Sequence, residues 1–299
     1  MTARRGSYRG RRRRTLAFAV AAAFALGIAG TSAAAPPPQR IASIYLCADQ
    51  LLLLLAERER IVTLSRFAVQ PSISHQAAAA KDIPGNRGRA EELLLHAPDL
   101  ILAGEYTAPA TKAMLRKIGL PVVELPTATD FDAIRANIRR VAAAIGRPER
   151  GDRLVEALDR RLDGARPGDK ARPSLMLYRL GGFSHGRGTL LDAIFRTVGF
   201  ANHSAARVSG VGRLSLESVL VDPPDAIVLG QHSMPRDSQA AELLSHPAFR
   251  HLRERTPAVV LPDALWICGL PASAEAAEVL ADFRRSIAAP ARRGSARPK

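Results

Sequence analysis

The sequence predicts an α/β protein of two doubly wound lobes joined by a single long helix. Three features support this prediction: short apolar strands alternate with helices, one segment occurs in both halves, and a helix followed by a Gly- and Pro-rich break lies near the middle. Strands and helices that alternate in this way are typical of parallel sheets covered on both faces. A chain of 299 residues is long enough for two such lobes.

The first lobe is predicted to occupy residues 40–147. Its helices should include one that begins at Asp130 and ends near Gly146, because apolar residues at Phe131, Ile134, Ile138 and Val141 fall on one helical face. The remaining elements of this lobe are predicted as strands at 40–45, 61–65, 100–103 and 122–125, and helices at 50–56, 90–95 and 111–118.

A connecting helix is predicted within residues 148–167, since Pro148 suits the first helical turn and Gly164, Pro167 and Gly168 form a break. The second lobe is then predicted at 172–287. Its elements are expected as strands at 174–180, 226–229 and 258–261, and helices at 190–198, 216–220, 240–244 and 272–287.

The two ends of the chain carry most of the formal charge of +15, with seven arginines in residues 1–35 and six basic residues in 284–299. Residues 1–35 are predicted to be a signal peptide, because Arg11–Arg14 precede the apolar run Thr15–Gly30 and small residues follow. The alternative is a membrane anchor, which the short, Ala-rich run disfavours. The motif Arg13-Arg14-Thr15-Leu16 leaves the twin-arginine and general secretory routes both open.

We therefore expect a periplasmic protein with a solvated basic tail at 288–299. The body between the two basic ends has a charge of only about +2, and no basic stripe is evident. Nucleic acid is consequently not expected as a partner.

The most informative pattern is a segment that recurs 126 positions apart, beginning at Glu91 and again at Glu217. Each copy has a glutamate at the start of a short helix, a proline seven positions later, then Asp and a buried apolar strand. A carboxylate near a helix N-terminus is stabilised by the helix dipole. This effect explains the presence of either glutamate when it is taken by itself. The repetition in both halves indicates two equivalent lobes.

With this repeated segment, the chain resembles the periplasmic binding proteins with a rigid helical backbone, the iron-siderophore and vitamin B12 group, over residues 40–287. The resemblance implies a monomeric binding protein rather than an enzyme, without a resident cofactor or protein-held metal. Its ligand would be a metal chelate such as a ferric siderophore, haem or a corrinoid, and the resemblance implies a ligand cleft between the lobes. It also implies that Glu91 and Glu217 dock onto the permease of an ABC transporter, where paired charges would set orientation and encounter rate.

Ligands of α/β lobes bind beyond the carboxyl ends of the strands, where this chain concentrates aromatic and arginine residues. Aromatic faces with a few cations suit a bulky anionic chelate. The candidate ligand-binding residues are Tyr45, Cys47, Arg66, Phe67, Arg87, Tyr106, Arg179, Phe183, His185, Arg213, Trp266 and Cys268. If the ligand is haem, its axial ligand could be Tyr45, Tyr106, Tyr178 or His185.

Cys47 and Cys268 fall in matching loops of the two lobes, and three interpretations remain open. They could be buried free thiols, which is the default expectation, a disulfide across the cleft, or soft ligands of a metal.

Two other functions are considered. Residues 182–186 match the G-x-S-x-G pattern of serine hydrolases, with Ser184 as nucleophile, but the expected helix does not begin at the serine. The other alternative is a periplasmic sensor that has the same fold and no role in transport.

Overall fold

In the computed structural model, residue 2 and residues 36–230 and 246–288 are described. The predicted signal segment, the helix predicted at 240–244 and the basic tail therefore lie outside the described residues, apart from Thr2 and Ala288. No helix among the described residues is long and apolar enough to cross a membrane.

The first lobe is built on a parallel sheet whose strands have the order β3-β2-β1-β4-β5. The chain starts at a central strand, adds β2 and β3 on one side, and then crosses to add β4 and β5 on the other. This path makes the sheet doubly wound, with its switch point between β1 and β4. The strands are β1 (Ile41–Ser43), β2 (Ile61–Ser65), β3 (Gly85–Asn86), β4 (Leu100–Gly104) and β5 (Val122–Leu125).

Helices cover both faces of this sheet because its central strands are apolar on both sides. In β4, Leu100 and Leu102 pack toward α1 and α4, whereas Ile101 and Ala103 pack toward α2 and α3. The side chain of Asp130 caps α4 by accepting a hydrogen bond from the Ala133 N–H at 2.8 Å. The helices are α1 (Leu46–Leu55), α2 (Ala90–Leu94), α3 (Pro109–Lys117) and α4 (Phe131–Ala144).

The second lobe repeats this plan with a parallel sheet of order β11-β10-β6-β8. A small antiparallel pair, β7 with β9, lies outside that sheet. The strands are β6 (Ser174–Leu177), β7 (Phe183–His185), β8 (Ala201–Asn202), β9 (Val211–Arg213), β10 (Ala226–Gly230) and β11 (Ala258–Leu261). The helices are α6 (Leu190–Thr197), α7 (Leu216–Val221), α8 (Pro247–Arg255) and α9 (Ala272–Ala288).

A single long helix, α5 (Pro148–Ala165), connects the lobes and packs between α4 of the first and α9 of the second. Its buried face carries Val155, Leu158 and Leu162, which belong to a hydrophobic core continuous through both lobes. Gly151 allows α4 to approach, because a Cβ there would lie 2.5 Å from the Ala142 Cβ. The shared core makes this junction a packed interface rather than a flexible linker.

The repeated segment occupies equivalent places in the two sheets, with α2 and β4 in one copy and α7 and β10 in the other. Its aspartate ties the sheet together in both lobes. Asp99 accepts hydrogen bonds from the backbone N–H groups of Gln39 and Arg40, and Asp225 accepts one from that of Ser174. Each aspartate thereby fixes the backbone at the beginning of the first strand in its own lobe.

Several predicted boundaries need correction. Helix α1 begins at Leu46 instead of Gln50, and β6 ends at Leu177 instead of Leu180. The hairpin of β7 and β9 and helix α8 were not predicted, because the strands have three residues each and the apolar spacing in α8 is weak.

Candidate functional site

The carboxyl ends of the two sheets meet at a disulfide. Cys47, in the first turn of α1 after β1, is bonded to Cys268, which follows β11, with Cα atoms 5.2 Å apart. The default expectation of two free thiols is therefore wrong. The disulfide also leaves neither sulfur as a thiolate, so the metal-ligand interpretation is wrong as well.

Beside the disulfide, the lobes are in very close contact. A Cβ atom on Gly269 would lie 2.3 Å from the Cβ of Ala128, which precedes α4 in the first lobe. Only glycine permits this approach. The loops at the strand ends of the two lobes are therefore in direct contact beside Cys47–Cys268.

A cluster of polar and aromatic residues lies where the strands of the second lobe end. The guanidinium of Arg179 lies 5.4 Å from the centre of the Trp266 ring, and the His185 ring meets that ring edge-on at 5.0 Å. Arg179 also forms an ion pair with the buried carboxylate of Asp263 at 3.0 Å. Arg179, His185 and Trp266 are among the predicted ligand-binding residues, whereas Asp263 is not.

Electrostatics in this cluster keep the imidazole neutral. Burial, together with the nearby charge of Arg179, lowers the pKa of His185 to about 4. At neutral pH the ring nitrogens of His185 thus include an acceptor with a free lone pair.

Each lobe also presents an arginine over a phenylalanine. Arg66 lies 4.8 Å from the centre of the Phe67 ring after β2, and Arg213 lies 4.5 Å from that of Phe183 in the β7–β9 hairpin. Both phenylalanines are partly exposed, at 39% and 38%. Both arginine–phenylalanine contacts therefore lie on accessible surface.

The predicted tyrosines differ sharply in accessibility. Tyr45 and Tyr106 follow β1 and β4 at the switch point, and Tyr45 packs so closely on Gly104 that a Cβ there would lie 2.9 Å from its Cγ. Tyr106 is 79% exposed. Tyr178, by contrast, is buried, stacks on Phe249 and donates its hydroxyl to the Leu214 carbonyl, so it is unavailable as an axial ligand.

Arg87 is exposed, and its backbone N–H donates to the Glu92 carboxylate at 2.6 Å. Its side chain has no aromatic contact among the described residues, so the structure does not join it to the arginine–aromatic pairs.

Two buried ionisable residues contact the strand ends of the first lobe and were not predicted as site residues. Asp49 in α1 is fully buried, accepts hydrogen bonds from the Ser65 hydroxyl and backbone N–H, and has its pKa raised to about 7 by burial. Lys112 in α3 donates to the carbonyls of Gly104 and Glu105, at the carboxyl end of β4. Neither residue could be recognised from the sequence pattern, because aspartate and lysine are usually exposed.

A groove of about 650 Å³ lies between the 69–81 segment and the second lobe. It contains none of the predicted site residues. Its walls are Val69, Pro71, Ser74, His75, Ala77, Ala78 and Lys81 on one side, and Pro262, Ala264, Leu265 and Glu275 on the other.

Ser184 is unsuited to nucleophilic catalysis. It is fully buried within β7, and its hydroxyl donates to the Leu177 carbonyl at 2.6 Å while sharing a hydrogen bond with the Ser204 hydroxyl. It sits opposite Gly212 in an antiparallel pair rather than at a strand-to-helix turn. The hydrolase alternative is not supported.

No group of three or more His, Cys, Asp or Glu side chains that could hold a metal ion occurs within residues 36–230 and 246–288.

Glu91 and Glu217 lie at the starts of α2 and α7, and both are exposed. Hydrogen bonds from its own backbone N–H and from the Ser215 hydroxyl lower the pKa of Glu217. Neither carboxylate forms an ion pair with another described residue.

Two doubly wound lobes on a shared helix, with aromatic and charged residues at the facing strand ends, define the architecture of a two-lobed solute-binding protein. The sequence profile of the periplasmic binding protein family matches residues 41–255. The chain belongs to this family, which consists of periplasmic solute-binding proteins rather than enzymes. A search of curated proteins found no match.

Solved structures agree with this assignment. The apo periplasmic heme-binding protein RhuT from Roseiflexus sp. RS-1 is 25% identical, with a TM-score of 0.69 and coverage of 82% of this chain and 97% of that one. The vitamin B12 binding protein BtuF of Vibrio cholerae is 20% identical, with a TM-score of 0.64 and coverage of 83% and 97%. A Fe3+-hydroxamate transport protein from Saccharomonospora viridis DSM 43017 is 21% identical, with a TM-score of 0.64 and coverage of 83% and 93%.

Proposed function

We propose that the protein captures an anionic metal chelate in the cleft between its lobes and delivers it to the permease of an ABC importer. The observation that carries this proposal is the arrangement of arginines over aromatic rings at the carboxyl ends of strands in both lobes. A ligand lying between them would be contacted from two sides, one molecule per monomer.

The chemistry of these pairs favours a ligand with both a flat or bulky apolar body and negative charge. The rings of Phe67 and Phe183 offer apolar faces, while Arg66 and Arg213 lie over those faces and can pair with carboxylates or hydroxamate oxygens. Ferric siderophores, haem and corrinoids all combine a bulky body with oxygen-rich groups, although their charges differ.

Within this class, haem is the first ligand to test. The relative that is 25% identical is described as a heme-binding protein. The neutral imidazole of His185 and the exposed phenol of Tyr106 are groups that can coordinate haem iron. Tyr45 is a further candidate, whereas the buried Tyr178 is not.

Delivery would use Glu91 and Glu217 as contacts to the permease. Both carboxylates are exposed, and each stands at the same position of its lobe, which suits a partner with two equivalent docking points.

The test is calorimetric and absorbance titration of the mature protein with haem, a ferric hydroxamate siderophore and cobalamin. One of the three should bind with a one-to-one stoichiometry. Arg66→Gln and Arg213→Gln should each weaken that binding by about 5- to 30-fold, since a desolvated cation–π or ionic contact contributes about 1–2 kcal/mol.

Arg250→Gln, on the exposed side of α8, is the matched control and should bind like the wild type. Flat titrations with all three ligand classes would contradict the proposal. Equal losses in the Arg250 control would show that overall charge, rather than the cleft pairs, determines binding.

A further inference from the structure

The two lobes expose apolar side chains at equivalent positions. Leu95 is 87% exposed in the first lobe, and Val221, 126 positions later, is 85% exposed in the second. The preceding residues match as well, since Leu94 is 39% and Leu220 40% exposed.

These residues stand beside the two glutamates. Residues three and four apart lie on the same side of a helix. Glu91 is therefore a neighbour of Leu94 and Leu95, as Glu217 is of Leu220 and Val221. We call Glu91, Leu94 and Leu95 the first docking patch, and Glu217, Leu220 and Val221 the second docking patch.

Folding does not account for this exposure. The inward positions of the same helices are occupied by Leu93 and Val219, which are 0% and 1% exposed and complete the packing against their sheets. A single exposed leucine or valine is ordinary on a protein surface. The same acid with the same two exposed apolar neighbours in both lobes is a repeated arrangement, which points to a shared use.

The negative charge of the two patches indicates which kind of partner can bind them. An anionic lipid surface would repel both glutamates, whereas a protein surface with a basic residue beside an apolar pocket complements each patch. Because two equivalent patches are present, the partner should carry two such sockets, as a permease with two-fold symmetry does.

We propose that Leu95 and Val221 are apolar anchors that insert into paired sockets of the permease, each beside a basic residue that receives Glu91 or Glu217. This inference rests on the proposed transport function and assigns the contact chemistry of its docking step. The glutamates would mainly raise the association rate, while the buried anchors would slow dissociation.

The experiment measures binding of the mature protein to its permease in nanodiscs, after the permease has been co-purified with the tagged protein from its own membranes and identified by mass spectrometry. Leu95→Ser together with Val221→Ser should weaken binding by tenfold or more, mainly through faster dissociation. Glu91→Gln together with Glu217→Gln should instead slow association and reduce its salt dependence.

Two controls accompany these variants. Leu95→Ile with Val221→Ile retains apolar bulk and should bind like the wild type, and Val260→Ser removes an exposed apolar residue outside both patches. Melting temperatures should agree among all variants, because substitutions at such exposed positions rarely change stability.

If the serine variants bind the permease as well as the wild type while the glutamine variants bind more weakly, the anchors are refuted and the transport function stands. If no permease co-purifies with the wild type, with or without ligand, the proposed function fails first. A loss equal to that in Val260→Ser would also refute the anchors.

Discussion

Reducing the Cys47–Cys268 disulfide should strongly destabilise the protein. The two cysteines are separated by 221 positions and belong to opposite lobes, so the bond closes a loop that includes α4, the connecting helix α5 and most of both sheets. In the unfolded state such a closed loop has far fewer conformations than the open chain.

The magnitude follows from the length of that loop. The chain-entropy relation gives about 5 kcal/mol at 25 °C for a loop of this size. For a domain of this length, about 1 kcal/mol corresponds to roughly 2–4 °C in melting temperature, so reduction should lower Tm by about 10–20 °C. The native contacts at Gly269 and Ala128 remain in place, because neither involves sulfur.

The assay compares oxidised and reduced protein of the same sequence, which avoids the cavity that a Cys→Ala substitution would leave at the buried Cys268. Thermal and urea unfolding are followed by circular dichroism and by fluorescence of the single tryptophan, Trp266, two positions from Cys268. Alkylation and mass spectrometry establish the thiol state of each sample.

Equal stability of the two samples, with both thiols shown to be free after reduction, would refute the loop-entropy reasoning. Two alkylatable thiols in protein taken directly from the periplasm would refute the disulfide itself.

The side chains of Asp49 and His185 should make the free energy of unfolding depend on pH in opposite directions. Burial raises the pKa of Asp49 to about 7, so between about pH 4 and 7 the unfolded chain loses this proton while the folded protein retains it. Stability therefore falls as pH rises, by up to about 1.4 kcal/mol per pH unit, and Asp49→Asn should remove that fall. The lowered pKa of His185, about 4, acts in the other direction, because only the unfolded chain gains a proton as pH falls from about 6.5 to 4. Urea titrations should thus show stability rising with pH in Asp49→Asn and falling with pH in His185→Gln; the same slope in both variants would contradict these assignments.

Much of the fold could be predicted because its signals are local. The repeated Glu-to-Pro-Asp segment correctly placed α2 with β4 and α7 with β10, and the spacing of Phe131, Ile134 and Ile138 predicted α4. The predicted ends of helices and strands were less reliable where the residues suit a loop as well as a helix. Leu46–Asp49 was expected as loop, yet it forms the first turn of α1, where Asp49 accepts a hydrogen bond from the Ser65 backbone N–H of β2.

The candidate ligand site was predicted only as a set of loops. Strand ends are recognisable in sequence, and the rule that ligands bind there selected Arg179, His185 and Trp266 without showing that they touch. The buried Asp49 and Lys112 were missed because the partners that stabilise them, Ser65 and the carbonyls at the end of β4, are supplied by other elements.

The sequence by itself determined the two-lobed α/β architecture and the equivalence of Glu91 and Glu217, since periodicity and repetition are properties of neighbouring residues. Tertiary structure decided that Cys47 and Cys268 form a disulfide, that Tyr178 and Ser184 are buried, and that Leu95 and Val221 are equally exposed. Each of these facts depends on which surfaces the two lobes cover, and chain segments more than a hundred residues apart meet only through that packing.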